Sequence, residues 1–235
     1  MSSLERPRVL VNFASSIDGK ISLAPGLRKG PFTMSRHQDD PRRMRQIRAM
    51  VDAILIGSGN LRADDPDLAI DSKERLRRRE AKEREPMRMV ITGSGEGISP
   101  RHKMFDAALG GPSFVLHSEA MTGDARELLA PVATLVTLGQ GEVDVPRMLR
   151  WMAEERGIRT LLCEGGGILC AQLFAARAVD ELFVTMVPRV LGGALAPSLA
   201  GGPGFLPNEI PDATLGSIDR IGDELFLRYD FRWDK

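Results

Sequence analysis

The sequence predicts an α/β fold: a mostly parallel sheet with helices on both faces and antiparallel edge strands near the C-terminus. Short apolar runs alternate with helix-like stretches over most of the chain, which implies parallel strands joined by right-handed crossovers. Val51–Gly57 is apolar on both faces, as a strand covered by helices on each side must be. The last third has fewer helical patterns and more Gly and Pro, which suits an antiparallel edge.

In chain order, Arg8–Phe13 reads as a strand, followed by a polar turn at Ser15-Ser16-Ile17-Asp18-Gly19. Ser35 is placed to cap a helix from about Arg36 to Met50, with basic residues along its exposed face. Val51–Gly57 is the second strand, and Asp65-Pro66-Asp67 breaks the chain after it. Asp71–Glu85 alternates in charge sign, as an exposed helix or an insertion would, with a phosphate-binding role as the other reading. Arg88–Thr92, Ser113–His117, Thr160–Cys163, Glu181–Val187 and Glu224–Phe231 read as strands. Val145–Arg156 and Ile168–Arg177 read as helices. With no internal repeat and no flexible tether, residues 1–235 read as a single domain.

Composition narrows the function. Lys+Arg and Asp+Glu both number 32, so no net field draws the chain to nucleic acid or an acidic membrane. The apolar runs are too short to span a bilayer, and the polar Met1–Arg8 segment does not resemble a signal peptide. Two cysteines, Cys163 and Cys170, cannot form a disulfide framework. The expectation is a soluble, cytoplasmic chain.

Three glycine-rich segments follow strands. In Leu161–Ile168 an apolar strand runs through Glu164 into Gly165-Gly166-Gly167, and a helix starts at once. Glycines let backbone approach a phosphate, and the free N–H groups of a helix start present partial positive charge to it. The same pattern also suits a tight strand–helix turn that binds nothing. Gly57–Leu68 follows a second strand, where Asp64 and Asp65 could meet ribose hydroxyls or cap the next turn. It is neither a dinucleotide fingerprint nor a P-loop, because Arg62 stands where a third glycine would be needed and no Gly-Lys-Ser/Thr follows. Gly93-Ser94-Gly95-Glu96-Gly97 is the third exit. Three such exits on one sheet edge suggest a nucleotide-sized crevice.

Two patterns are rejected. His117-Ser118-Glu119 matches half of a zinc-deaminase signature, but no PCxxC occurs to supply the thiolates. The three histidines lack HExxH spacing and a nucleophile elbow, so no metal site or histidine-based hydrolase is expected.

Taken together these segments resemble the reductase family of riboflavin biosynthesis. The resemblance rests on Ser16-Ile17-Asp18-Gly19-Lys20-Ile21, Ile47-Arg48-Ala49, Gly57 through Asp64-Asp65-Pro66-Asp67-Leu68, Pro86–Ile91, Glu164-Gly165-Gly166-Gly167, Val179-Asp180-Glu181-Leu182 and Pro188-Arg189-Val190-Leu191-Gly192-Gly193. It implies a dihydrofolate-reductase-like fold, a homodimer and NADPH as cofactor. It also implies a phosphorylated substrate, a ribosylaminopyrimidine 5′-phosphate whose ribose is reduced to ribityl. By position, the resemblance assigns Ala14, Asn60, Asp64, Ile91, Thr92, Gly93, Ser94, Gly165, Gly166, Gly167 and Ile168 to the cofactor. It assigns Asn12, Arg48, Leu68 and Glu164 to the substrate, with Arg48 toward the phosphate.

The implied chemistry is hydride transfer to C1′ through an open-chain imine, with Glu164 or Asp64 as the carboxylate that favours the developing cation; no general acid is evident. Asn60 departs from the Thr usual in the family, though Asn also donates and accepts. Deaminase-fused bacterial members tend to carry Lys at position 12, whereas stand-alone archaeal and fungal members look like Asn12. This favours a 2,5-diaminopyrimidine that keeps its amino group over the deaminated 5-amino-6-(5-phosphoribosylamino)uracil. A dihydrofolate or pterin reductase on the same fold, and a catalytically inactive NADPH-binding regulatory module, are the rival readings.

Overall fold

The computed structural model describes residues 5–27, 33–70 and 85–233. The expected charge-dense stretch lies outside them, apart from Glu85. Nine strands and five α-helices are described: β1 Arg8–Ser16, α1 Asp39–Met50, β2 Ala53–Gly57, α2 Ser58–Asp64, β3 Met87–Thr92, β4 Ser113–His117, α3 Gly123–Leu129, β5 Thr134–Thr137, α4 Val145–Glu154, β6 Thr160–Cys163, α5 Gly167–Ala175, β7 Val179–Val187, β8 Ala213–Ile221 and β9 Glu224–Phe231. The chain divides into two compact units: residues 1–8 with 45–163, and residues 9–44 with 164–235.

In the first unit the strand order is β5-β4-β3-β2-β6, with parallel pairing throughout. Ala53, Ile54, Leu55 and Ile56 are all buried in succession, so both faces of β2 are covered, as its unbroken apolar run predicts. Helix α4 buries Val145, Met148, Leu149, Trp151 and Met152, a spacing that places one stripe against the core. Asp144 caps it by accepting a hydrogen bond from the Arg147 N–H at 2.9 Å.

In the second unit the order is β1-β7-β9-β8. β1 and β7 are parallel, while β9 runs antiparallel to both β7 and β8. The expected α/β class is therefore present, with its antiparallel strands at the C-terminal end of the chain.

Several local expectations need correction. α1 begins at Asp39 rather than Arg36, because Ser35 does not cap it. The Ser35 hydroxyl faces both carboxylate oxygens of Glu224, at 2.8 and 2.9 Å, and accepts from the His37 N–H at 3.0 Å. Nor is the basic face of α1 simply solvated. Arg48 is buried, and the Arg43 guanidinium stacks at 5.2 Å from the Phe183 ring and 5.3 Å from the Phe226 ring. β1 continues through Ser16, so the turn is confined to Ile17–Gly19. Helices α2 and α3 and strands β5 and β8 were not expected.

The Ser16–Gly19 turn is tied to the segment after β7 by Asp18. Its carboxylate accepts from the Leu191 N–H at 3.0 Å, the Gly192 N–H at 2.7 Å and the Ser16 hydroxyl at 2.6 Å. These bonds, that from Ser16 foremost, lower its pKa to about 2. A carboxylate with a depressed folded pKa stabilises the fold above its unfolded value, and that contribution is lost as pH falls through the folded value. Asp18→Asn is therefore expected to lower the melting temperature at pH 6. The gap to the unsubstituted chain should close between about pH 4 and about pH 2. A gap constant across that range would show that the charge does not hold this loop.

Arg88 on β3 is 2% exposed, and donates to the Asp106 carbonyl at 2.9 Å and the Gly111 carbonyl at 2.8 Å. Burial lowers its pKa from the ordinary value, against the opposing charges of Asp106 and Asp67. Arg88→Met would leave both carbonyls without their donor. It is expected to cost about 2–4 kcal/mol in urea unfolding, and a change under about 0.5 kcal/mol would contradict this account.

Candidate functional site

Strands β2, β3 and β6 run parallel, so their carboxyl ends share one edge, the edge at which open α/β sheets hold ligands. Gly57, the last residue of β2, pairs with Ile91 of β3, so the glycine-rich exits at Gly57 and Gly93 emerge side by side. Gly57 also begins α2 with no side-chain cap. Asn60 and Asp64 stand four residues apart on α2, and hence on one helix face, Asn60 half-buried and Asp64 exposed.

At the β3 exit Ile91 and Thr92 are buried, and the Thr92 hydroxyl accepts from the Gly95 N–H at 3.1 Å. The Gly93 carbonyl lies 3.1 Å from the Ser118 hydroxyl at the neighbouring β4 exit. The Ser94 hydroxyl accepts from the Glu96 N–H at 3.2 Å. Arg62 donates to the Glu96 carbonyl at 3.0 Å and ties α2 to this exit. Gly95 has φ +78°, and a Cβ there would lie 2.9 Å from the Ala125 Cβ, so this turn needs glycine twice over.

Arg48 and Leu68, both assigned to the substrate side, belong to this unit. Arg48 is 4% exposed and donates to Asp67 at 3.2 Å and to the Ala69 carbonyl at 2.9 Å. Leu68 is buried with φ +54°. Arg48 therefore grips the side chain before and the backbone after a residue in a left-handed conformation.

His117 is wholly buried, with Nδ1 2.8 Å from the Ser118 carbonyl and Nε2 3.4 Å from the Thr137 hydroxyl. Burial lowers its pKa. Among the described residues no group of three or more His, Cys, Asp or Glu is placed to hold a metal ion.

In the second unit Asn12 and Ala14 share one face of β1 by strand alternation. Glu164 precedes Gly165, whose φ of +109° suits glycine alone, and the Gly165–Gly166 peptide is cis. Gly166 starts α5 without a side-chain cap, and the space a Cβ would take there is open. Gly167 packs against the Ser198 carbonyl, and its own carbonyl accepts from the Gly201 N–H at 2.9 Å. Ile168 is 70% exposed in the first turn. An uncapped helix start behind an open glycine fits a phosphate of a dinucleotide.

The structure adds a group that sequence reasoning missed. The Asp40 carboxyl, in the first turn of α1, has a pKa raised from its ordinary value. Burial is the main cause, and the charges of Glu224 and Glu164 act in the same direction. Thr185 and Arg43 oppose them. A carboxylate at a helix N-terminus is ordinarily stabilised as the anion, so burial and like charge prevail over the dipole here. Thr185 is 0% exposed; its hydroxyl faces Asp40 without closing a hydrogen bond to any described residue. Nothing local in Asp39-Asp40 marks it, since acidic residues at a helix start are ordinary.

The family model described as the RibD C-terminal domain matches residues 7–227. A 2,5-diamino-6-ribosylamino-4(3H)-pyrimidinone 5′-phosphate reductase of Archaeoglobus fulgidus is 31% identical over 93% of this chain and 95% of its own length. The reductase of the same name from Methanothermobacter thermautotrophicus is 29% identical over 95% of this chain and 98% of its own. Among solved structures, the Saccharomyces cerevisiae riboflavin biosynthesis reductase Rib7 superposes with a TM-score of 0.71 at 19% identity, covering 99% of this chain and 93% of Rib7. That likeness is one of fold, and it carries the expected dihydrofolate-reductase-like class. With its family model matched along nearly its whole length, this chain belongs to the RibD C-terminal domain family.

Proposed function

We propose that this chain is an NADPH-dependent reductase that converts the ribose of a 2,5-diamino-6-(ribosylamino)pyrimidinone 5′-phosphate to ribityl. The observation that carries the reading is the Glu164–Gly167 segment. It sets a carboxylate beside an uncapped helix start whose glycine leaves room for a phosphate. Relatives bearing the name of that activity at 31% and 29% identity support it.

In this reading Asn60, Asp64, Ile91, Thr92, Gly93 and Ser94 of the first unit hold the cofactor. So do Ala14, Gly165, Gly166, Gly167 and Ile168 of the second. NADPH supplies the hydride when bound. Asn12 and Glu164 meet the pyrimidine and sugar. Arg48 and Leu68 form the loop toward the phosphate, with Arg48 holding the backbone there. Glu164 or Asp64 supplies the carboxylate that favours positive charge at C1′.

The proposal includes residues 1–235 acting as one reductase domain, in the cytoplasm, as a homodimer. Among the described residues no helix is long and apolar enough to cross a membrane. β8 ends its unit's strand order with every residue exposed, including Leu215, Ile218 and Ile221, as a strand covered by a second copy would be.

NADPH consumption measured with the diamino and the deaminated substrates side by side tests the reading. Turnover is expected to be at least tenfold faster on the diamino compound, and faster with NADPH than with NADH. Equal rates on the two pyrimidines would remove the argument from Asn12. Turnover of dihydrofolate alone would establish the folate-reductase rival, and NADPH binding without consumption would establish the inactive module.

A further inference from the structure

Reduction of a ribosylamine at C1′ first requires its sugar ring to open. One proton must reach the ring oxygen O4′ as the C1′–O4′ bond breaks. None of the roles assigned above supplies that proton. The second unit holds a carboxyl placed for it.

Asn12 and Ala14 on β1 pair in register with Phe183 and Thr185 on β7, so all four side chains lie on one face of the sheet. Phe226 and Arg228 of β9 pair with Thr185 and Phe183 and continue that face. α1 covers it, since Arg43 lies over the rings of Phe183 and Phe226 and donates to the Leu227 carbonyl at 3.0 Å. One turn earlier on the same helix Asp40 faces Thr185, with Glu224 of β9 and Glu164 close enough for their charges to act on it.

Three buried polar atoms at this face lack a partner among the described residues: Thr185 Oγ1, Arg43 Nη1 and Arg228 Nε. Asn12, 8% exposed on the same face, is not one of them. Buried polar groups are nearly always paired, so these exceptions beside one carboxyl suit a place that takes a polar ligand.

We infer that Asp40 is the general acid that opens the ribosyl ring, with Thr185 and Asn12 as polar contacts for the substrate beside it. The assignment rests on the reductase reading above. The Asp40 carboxyl gives its proton to O4′, and the electron pair of the C1′–O4′ bond goes to that oxygen, which becomes the 4′-hydroxyl. The lone pair of the exocyclic nitrogen forms the C1′=N bond. The Asp40 carboxylate then regains a proton from water. Glu164, whose charge also acts on Asp40, favours the resulting cation at C1′ and nitrogen.

The environment suits the role. Burial, then Glu224 and Glu164, raise the pKa of the Asp40 carboxyl from its ordinary value, while Thr185 and Arg43 oppose them. Glu224 is itself engaged by the Ser35 hydroxyl and does not compete for the substrate.

The test is the pH profile of NADPH consumption by the full chain and by Asp40→Asn. The unsubstituted enzyme should lose kcat as pH rises through the Asp40 pKa. Asp40→Asn should lose kcat about 100-fold or more, lose that limb of the profile, and keep its NADPH dissociation constant within about threefold. If Asp40→Asn fails to fold, Glu224→Gln provides the second measurement. Removing a neighbouring negative charge should move the limb to lower pH, and an unmoved limb would overturn the assignment. Turnover by the unsubstituted chain with Asp40→Asn unchanged in rate and profile removes the assignment and leaves the reductase reading standing. No turnover by the unsubstituted chain removes both.

Discussion

The burial of one carboxylate, Glu224, sets much of the second unit. Glu224 begins β9 and is 1% exposed, and a charge in that position must be hydrogen-bonded or it costs several kcal/mol. Its partner is the Ser35 hydroxyl, which has one proton to share between two carboxylate oxygens. Ser35 is thereby taken from the helix it would otherwise cap, and α1 starts at Asp39 with its own acidic residues in the first turn. Asp40 is brought toward Glu224 as a result, and Arg43, one turn on, returns a positive charge to the same region. The stacking of Arg43 on Phe183 and Phe226 then fixes the helix against the sheet face.

This sequence of dependences explains which parts of the molecule could be read from the chain alone. β2, β4 and β6 are short apolar runs ending at small or polar residues, and burial on both faces leaves a continuous hydrophobic signal. The glycine exits are legible for a related reason: Gly95 and Gly165 occupy backbone conformations that other residues resist, so their chemistry is written locally. β8 has no such signal, because all nine of its residues are exposed and no alternation survives. β5 is a four-residue strand at the end of its unit's order, only half-buried at its centre. α2 contains Gly59 and Asn60, both weak helix formers, and no side chain caps its start.

Site residues divide along the same line. The glycine-rich exits carry their reading in adjacent residues, so the resemblance could assign them position by position. Arg48 shows the limit of that method, because its guanidinium reaches the loop at Asp67 and Ala69, a contact no local spacing announces. Asp40 is a stronger case. Its perturbation arises first from burial, and then from charges on β9 and on the residue after β6, which only folding brings to the start of α1.

Thr185 gives the arrangement an energetic sense. A buried polar group left without a partner destabilises a fold by about 1–3 kcal/mol, and a carboxyl held away from its preferred charge state adds to that. An apolar residue at that strand position would pack on the same face at no such cost. The unit instead keeps a hydroxyl facing a carboxyl that burial and two neighbouring acids keep from ionising freely. A polar ligand that completed that hydrogen bond would recover the lost stabilisation, so its binding and its orientation would come from the same contact.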